Sequence, residues 1–445
     1  MANHSPRILF VVPTRNRPEL AENAIRSLVQ QPASHPSHSI LVSDNSTEAG
    51  DVRKLHRFCT QFSQNMVRYV RPPEPLPMPT HFNWAMHHGL SSTEFTHFAC
   101  LTDRMIFRSG QLATLTDIIA AYPQAVVSYG HDRIVDNIRP VRLEQQDWTG
   151  DLFEISASHL LYLISQGVLH QSLPRVLNCV APRSVLNSIK DRFGSICGST
   201  APDFSFCFRC LEQAESILYY DKPLLVHYAL ARSNGASFAI GRASPDSRDF
   251  LRNLPSTGLN FAAPYPEVWT TDNTIFHEYC VARNETRSSK FPPLDMERYT
   301  SHLEWEVARI ENWRVRRQMR ARLRARRDVK NPSAQEKSPL SLSLVHPAKS
   351  IDSLALALKQ RYWAFLKRRR DPRETRATPR PCEFRSVSDA LRYASQSFRP
   401  PSTDSAGTTA LLAPNFNPRF LRQPRLSLGS AIQVVMRQDP GRMND

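Results

Sequence analysis

Four short stretches of this chain gather side chains able to do chemistry. In Val11-Val12-Pro13-Thr14-Arg15-Asn16-Arg17-Pro18 an apolar run gives way to a hydroxyl, guanidinium groups and an amide. At the end of a buried strand these would offer donors and a cation to a nucleotide, with Arg15 as the expected contact. Val42-Ser43-Asp44-Asn45-Ser46 ends a second apolar run in a carboxylate; the plainer reading is a turn, since Asp, Asn and Ser fold back onto their own backbone. Leu101-Thr102-Asp103-Arg104-Met105 sets one hard oxygen ligand, Asp103, beside a guanidinium. Mg²⁺ commonly takes one or two carboxylates together with phosphates and water, and a guanidinium can offset leaving-group charge in its place. In Pro202-Asp203-Phe204-Ser205-Phe206-Cys207-Phe208-Arg209 a carboxylate opens an apolar helix. An acid there can take the proton of an attacking hydroxyl, or merely cap the helix.

These stretches need elements to hold them. Ile8-Leu9-Phe10-Val11-Val12 is a continuous apolar run, as for a parallel strand covered on both faces. Pro18 opens a helix with Leu20, Ala24, Ile25 and Leu28 at helical spacing, and Ser39 to Val42 forms the next strand, completing a βαβ unit. Further strands are expected over residues 66 to 70, 95 to 101, 125 to 129 and 216 to 220, and helices over 81 to 90, 156 to 165 and 203 to 215. This alternation predicts an α/β sheet whose ligand lies beyond the carboxyl ends of its strands.

In order and spacing, the Pro13-Thr14-Arg15 loop, the strand ending at Asp44 and the acid closing a later strand resemble family 2 glycosyltransferases over residues 7 to 235. The resemblance implies a GT-A fold, an α/β nucleotide-sugar-binding domain with a mostly parallel central sheet and helices on both faces. It also implies inverting transfer of a sugar from a nucleotide-sugar donor to a hydroxyl on a glycan or lipid-linked acceptor, as in polysaccharide or glycolipid synthesis. Asp44 would then accept a hydrogen bond from the donor base, with Pro13, Thr14, Arg15 and Asn83 bordering the donor. Counting back from Gly110 and Leu112, Thr102 and Arg104 occupy the two positions of the family's Asp-x-Asp signature. The signature is therefore degenerate, and a divalent cation, Mg or Mn, would rest on Asp103, with His227 a further ligand or a buried structural histidine. The family's Glu-Asp pair has an Arg six residues after the Asp; Asp203 and Arg209 keep that interval, with Pro202 in place of the Glu. Asp203 is thus the expected general base, with Arg209 on the acceptor side. Arg232-Ser233-Asn234-Gly235 would supply a phosphate-binding loop.

The 445 residues carry a net charge of +16 that is unevenly placed: residues 1 to 300 hold 28 Lys+Arg against 28 Asp+Glu, and the remainder 29 against 13. A neutral body followed by a basic appendage is expected, with boundaries near 235 and 330. One helix is expected from 296 to 327 and an amphipathic helix over 351 to 370; the rest of the Ser-, Pro- and Arg-rich tail reads as unstructured. Ile351, Leu354, Leu358, Phe365 and Leu366 before Lys367-Arg368-Arg369-Arg370 would suit an anionic membrane surface as well as ordinary packing. The arginine run from 314 to 327 raises nucleic-acid binding as an alternative, against which no recognised nucleic-acid module is visible. The lost acids raise a second alternative, a protein that binds sugar nucleotides without turnover. Eight scattered cysteines suggest a reducing compartment, and Cys207 and Cys210, on one helix face, read as core residues. With no long apolar run and no signal peptide, a cytoplasmic location is expected, peripheral at the inner face of the membrane if the tail docks there.

Overall fold

A computed structural model describes residues 6–31, 38–137, 139–146, 148–198, 200–235, 237, 247–248, 261–330 and 382–396. Two compact units divide the chain: Met1–Leu323 with Glu383–Asp445, and Arg324–Cys382. The expected membrane helix over 351 to 370 lies outside the described residues.

The apolar run at the start becomes β1 (Ile8–Thr14), buried along its length. It pairs in parallel with β2 (His38–Asp44) and β4 (His97–Cys100), while β3 (Val67–Val70) extends β2 in parallel. Beyond β4 runs antiparallel β9 (Cys179–Pro182), then β6 (Val127–Val135). Strand β10 (Ser216–His227) lies parallel to β6 and antiparallel to both β5 (Met105–Phe107) and β8 (Leu152–Ser156). Strands β3, β2, β1, β4, β6 and β10 therefore share one direction, and the sheet is mostly parallel, as expected. Antiparallel β7 (Val141–Glu144) pairs with β6, and a late strand, Cys382–Phe384, pairs with β7.

Alternation along β1 divides the core into two layers. Ile8, Phe10 and Val12 pack with Ala21, Ala24, Ile25 and Leu28 of α1 (Pro18–Val29), Leu55 and Phe58 of α2 (Ala49–Cys59), and Leu112, Leu115 and Ile119 of α4 (Gln111–Ala121). Leu9 and Val11 face the other layer, built from α3 (Met78–Ser91), α5 (Ala157–Ser165), α6 (Arg183–Phe193), α7 (Pro202–Gln213) and the helices Thr271–Thr286 and Met296–Arg309. Helices thus cover both faces, and one-sided apolar stripes such as that of α1 are what the layers require.

Two expectations are corrected. The helix read as continuous from 296 to 327 is two, Met296–Arg309 and Trp313–Lys330. Ile310 turns to extended backbone, and the Asn312 side chain accepts from the Arg314 and Val315 amides at 3.1 and 3.4 Å, capping a new start. The tail also contains ordered structure, the strand Cys382–Phe384 and the helix Val387–Gln396. Ser386 and Asp389 begin that helix with an N-terminal cap: the Ser386 hydroxyl accepts from the Asp389 amide at 3.1 Å and donates to its carboxylate at 2.7 Å. The helix covers Arg108, a fully buried guanidinium that donates to the Ala394 carbonyl and to buried Asp132. Among the described residues, no helix is long and apolar enough to cross a membrane.

Candidate active site

The parallel strands deliver their carboxyl ends to one edge of the sheet, where the sequence-predicted residues meet. Strand β1 ends at Thr14, β2 at Asp44, and β4 runs into Thr102 and Asp103. The Asp103 carboxylate, 3% exposed, accepts from the Thr14 hydroxyl at 2.9 Å and pairs with Arg17 at 3.4 Å. Arg17 also donates to the Arg232 carbonyl at 3.1 Å, tying in the 230–232 turn, whose start is held by Asp136 through the Ala229 and Leu230 amides. Asn16, at φ 51°, accepts from the Thr47 amide, and its own amide donates to the Ser46 hydroxyl. Such left-handed backbone suits Asn better than most residues. Loops 14–17 and 44–48 are thereby stitched together.

Asp44 lies at the centre of this stitching. It is fully buried, one oxygen accepting from the Ser46 amide at 2.9 Å and the other from the Tyr69 hydroxyl at 2.6 Å. Each oxygen keeps a second lone pair, so a base edge would share the carboxylate rather than displace a partner. Arg15 donates to the Leu76 carbonyl at 3.1 Å, beside the reciprocal pair between Asn45 and the Leu76 backbone. Thr102 is 7% exposed, and its hydroxyl has no hydrogen-bond partner among the described residues. An orphaned buried hydroxyl costs about 1–3 kcal/mol, which a bound ligand or water would offset.

Asp203 lies in the first turn of α7. Ala201 occupies the N-cap position and Pro202 the first helical position, so Asp203 is not the cap that its sequence context allowed. It is half-buried, and desolvation raises its pKa, an effect opposed first by the charge of Arg175, then by the amides of Asp203 and Phe204 and by Arg104. The charges of Asp103 and Asp203 add to the effect of burial in pushing up the Cys100 thiol. His227, at the end of β10, packs against His131 of β6 with ring centroids 4.5 Å apart. Burial holds both imidazoles neutral, that of His131 down to about 3, and the charges of Arg175 and Arg133 push the same way.

Asn83 and Arg209 both hold one loop. Asn83 accepts from the Ile196 and Cys197 amides at 3.0 and 2.8 Å and donates to the Cys197 carbonyl at 2.8 Å. Arg209 donates to the Ser195 carbonyl and hydroxyl at 2.8 and 2.9 Å. Together they fix the 195–198 loop that leads into α7. Cys207 and Cys210 are fully buried in the core.

Three residues escaped sequence reasoning. Arg175, in the segment between α5 and β9, has its guanidinium 5.7 Å from the Phe204 ring centre. His131 sits mid-strand with no motif around it. Glu278, 3% exposed and about 75 positions downstream of Asp203, accepts from the Thr200 and Ala201 amides at 3.1 and 2.7 Å. Burial lifts its carboxyl to about 7, against the pull of those amides and of Arg209. Gly198 leaves it room, since a Cβ there would stand 2.7 Å from a Glu278 oxygen. A carboxylate thus stands at the start of α7 although the chain has Pro202 where the resemblance expects Glu.

No family model matches the chain, and no curated protein does. Among solved structures it is similar to crystal structures of S. aureus TarS 1-349, alone and in complex with UDP-GlcNAc or UDP, at 12% identity over 76% of this chain and 94% of that one. The TM-scores are 0.40 alone, 0.40 with UDP-GlcNAc and 0.39 with UDP.

Proposed function

We propose that the protein is a glycosyltransferase that moves a sugar from a nucleotide-sugar donor to a hydroxyl acceptor with inversion. The observation that supports this reading is the gathering of Thr14, Asp44 and Asp103 at the carboxyl ends of parallel strands, with Asp203 in the first turn of α7 as a further carboxylate. Beyond the carboxyl ends of parallel strands lies the usual place for a nucleotide in an open α/β sheet. Asp44 would receive the base, sharing its carboxylate with Tyr69, and the Thr14, Thr102 and Asp103 side would border the ribose and diphosphate.

Asp203 then acts as general base. It takes the proton of the acceptor hydroxyl as that oxygen forms its bond to the anomeric carbon. On the opposite face the anomeric C–O bond breaks, and the nucleoside diphosphate departs with the electron pair. A carboxyl whose pKa is raised by burial is a better base than an exposed one, and the guanidinium charges of Arg175 and Arg104 oppose that rise.

Incubating the full chain with UDP-, GDP- and dTDP-sugars, and following melting temperature and nucleotide release with a panel of glycan acceptors, tests the reading. One nucleotide series should raise the melting temperature and release its diphosphate. No shift and no release with any of the three would remove the proposal.

A further inference from the structure

Charge at the strand ends is paired within the site. The Asp103 carboxylate is engaged by Thr14 and Arg17, and among the described residues no three His, Cys, Asp or Glu side chains are placed to hold the divalent cation that the resemblance implies, so the residues present do not fit one. On the helix Trp313–Lys330 charge is arranged in the reverse way. Its packed side consists of Met319 and Leu323, each 6% exposed, and half-buried Val315, which recur every fourth residue and lie on the core. Two arginines secure that side to the body: Arg316 donates to the Ile310 carbonyl at 2.9 Å and Arg322 to the Glu267 carbonyl at 2.6 Å. Trp313, Arg314, Arg317 and Arg320 are exposed, and at about 3.6 residues per turn they fall on the side turned away from Val315, Met319 and Leu323. The side chains of Arg314, Arg317 and Arg320 form no hydrogen bond or ion pair among the described residues, and no Asp or Glu occurs between Glu311 and Asp328 to neutralise them. Trp313 is 57% exposed, with the Arg314 guanidinium 5.5 Å from its ring centre.

We propose that the outer side of this helix docks the protein on an anionic lipid surface. Like charges on successive helical turns repel one another, and a layer of anions removes that cost. Guanidinium suits the contact, because its planar fork grips phosphate oxygens two at a time. Trp313 adds an indole, a ring that settles at headgroup level with its apolar body inward and its N–H in water. Since the core already takes the apolar side of the helix, the helix lies on the bilayer rather than sinking into it, and attraction between charges supplies the binding. A single-stranded nucleic acid would instead need a series of aromatic faces for its bases, and this row carries Trp313 alone. The proposal stands apart from the reading of the site and holds whether or not the chain transfers sugar.

Co-sedimentation of the full chain with vesicles of phosphatidylcholine, alone or mixed with phosphatidylglycerol, tests this directly. The protein should bind the anionic vesicles, leave the neutral ones, and detach as salt is raised. Each basic residue near the surface contributes a factor of about five, so the triple variant Arg314→Gln, Arg317→Gln, Arg320→Gln should bind about 100-fold more weakly. Thermal melts check folding, which exposed substitutions between good helix formers should leave unchanged. Tryptophan emission should move to shorter wavelength on the anionic vesicles, and Trp313→Phe should reduce that move. Undiminished binding by the triple variant overturns the proposal and assigns the affinity to the basic residues beyond 330. Equal binding to neutral and anionic vesicles, or none to either, overturns it as well. So does tighter binding of duplex DNA or RNA than of anionic vesicles, lost in the triple variant, which would make the row a nucleic-acid contact.

Discussion

The two sides of the site are built on opposite principles. On the strand-end side, Thr14, Asn16, Arg17, Asp44, Ser46 and Asp103 are joined by short hydrogen bonds among themselves. On the α7 side, Asp203, Arg104, Arg175 and two imidazoles influence one another mainly through charge and desolvation. A hydrogen-bonded lattice fixes shape, because removing one member strands its partner. A group of facing charges holds electrostatic potential for a ligand that has yet to arrive. The first side is suited to recognition and the second to the chemical step.

Substitutions on the two sides should therefore fail differently. The largest effect is expected at Asp203→Asn, which keeps the shape but cannot accept a proton: turnover should fall by about 10²–10⁴-fold while nucleotide affinity is nearly unchanged. Steady-state kinetics beside calorimetry decide it, and wild-type turnover would take Asp203 out of the mechanism.

Next comes the support beneath α7. Glu278 titrates at about 7 in the fold against an ordinary value of 4.5, so the folded state prefers the protonated carboxyl. The associated stabilisation is complete below the unfolded value and is lost as pH rises through 7. It amounts to something on the order of 3 kcal/mol. Glu278→Gln retains an acceptor for the Thr200 and Ala201 amides and should lose this pH dependence. Urea unfolding at pH 4.5 and pH 8 should show wild type losing more stability across the interval than the variant; parallel losses would contradict the assignment.

The smallest effects sharpen the strand-end side. Asp44→Ala should weaken free UDP, or whichever nucleotide binds, by about five- to 150-fold, the cost of a base edge left without its acceptor. Tyr69→Phe should lower stability by about 1–3 kcal/mol and leave nucleotide affinity intact, because it returns an oxygen to Asp44. If Tyr69→Phe and Asp44→Ala weakened the nucleotide equally, Asp44 would be a brace for Tyr69 and not a contact.

Much of this arrangement was legible in the sequence, for identifiable reasons. Ile8 to Val12, Ser39 to Val42 and the helix opened by Pro18 announce themselves because burial on both faces demands unbroken apolar strands and a striped helix between them. Asp44, Asp103 and Asp203 could be named because each stands directly after a strand or at a helix start. The antiparallel strands β5, β7 and β9 gave no signal: three or four residues show no period, and their pairing is decided by long-range contacts. Strand β10 announces itself over Ser216 to Tyr220, and the stretch on to His227 resembles a strand only by family likeness; the ladder continues past Pro223 with register shifts on either side. Arg175 and Glu278 carry no local motif at all, and only the packing of distant segments brings them to Asp203. The helix after Ser386 did have a signature, Ser386 followed by Asp389 at the capping interval, hidden within a stretch whose composition suggested no structure.

The late strand Cys382–Phe384 has a bearing on how the molecule behaves among other copies of itself. A sheet that stops at β7 presents a row of unpaired backbone groups, which is a template for another chain to add to. Here the protein's own downstream segment takes that place, and the helix behind it seals the buried guanidinium of Arg108. Solubility of the sheet thus depends on residues far from it in sequence, and a product cleaved before Cys382 would keep every residue of the site while gaining an adhesive edge.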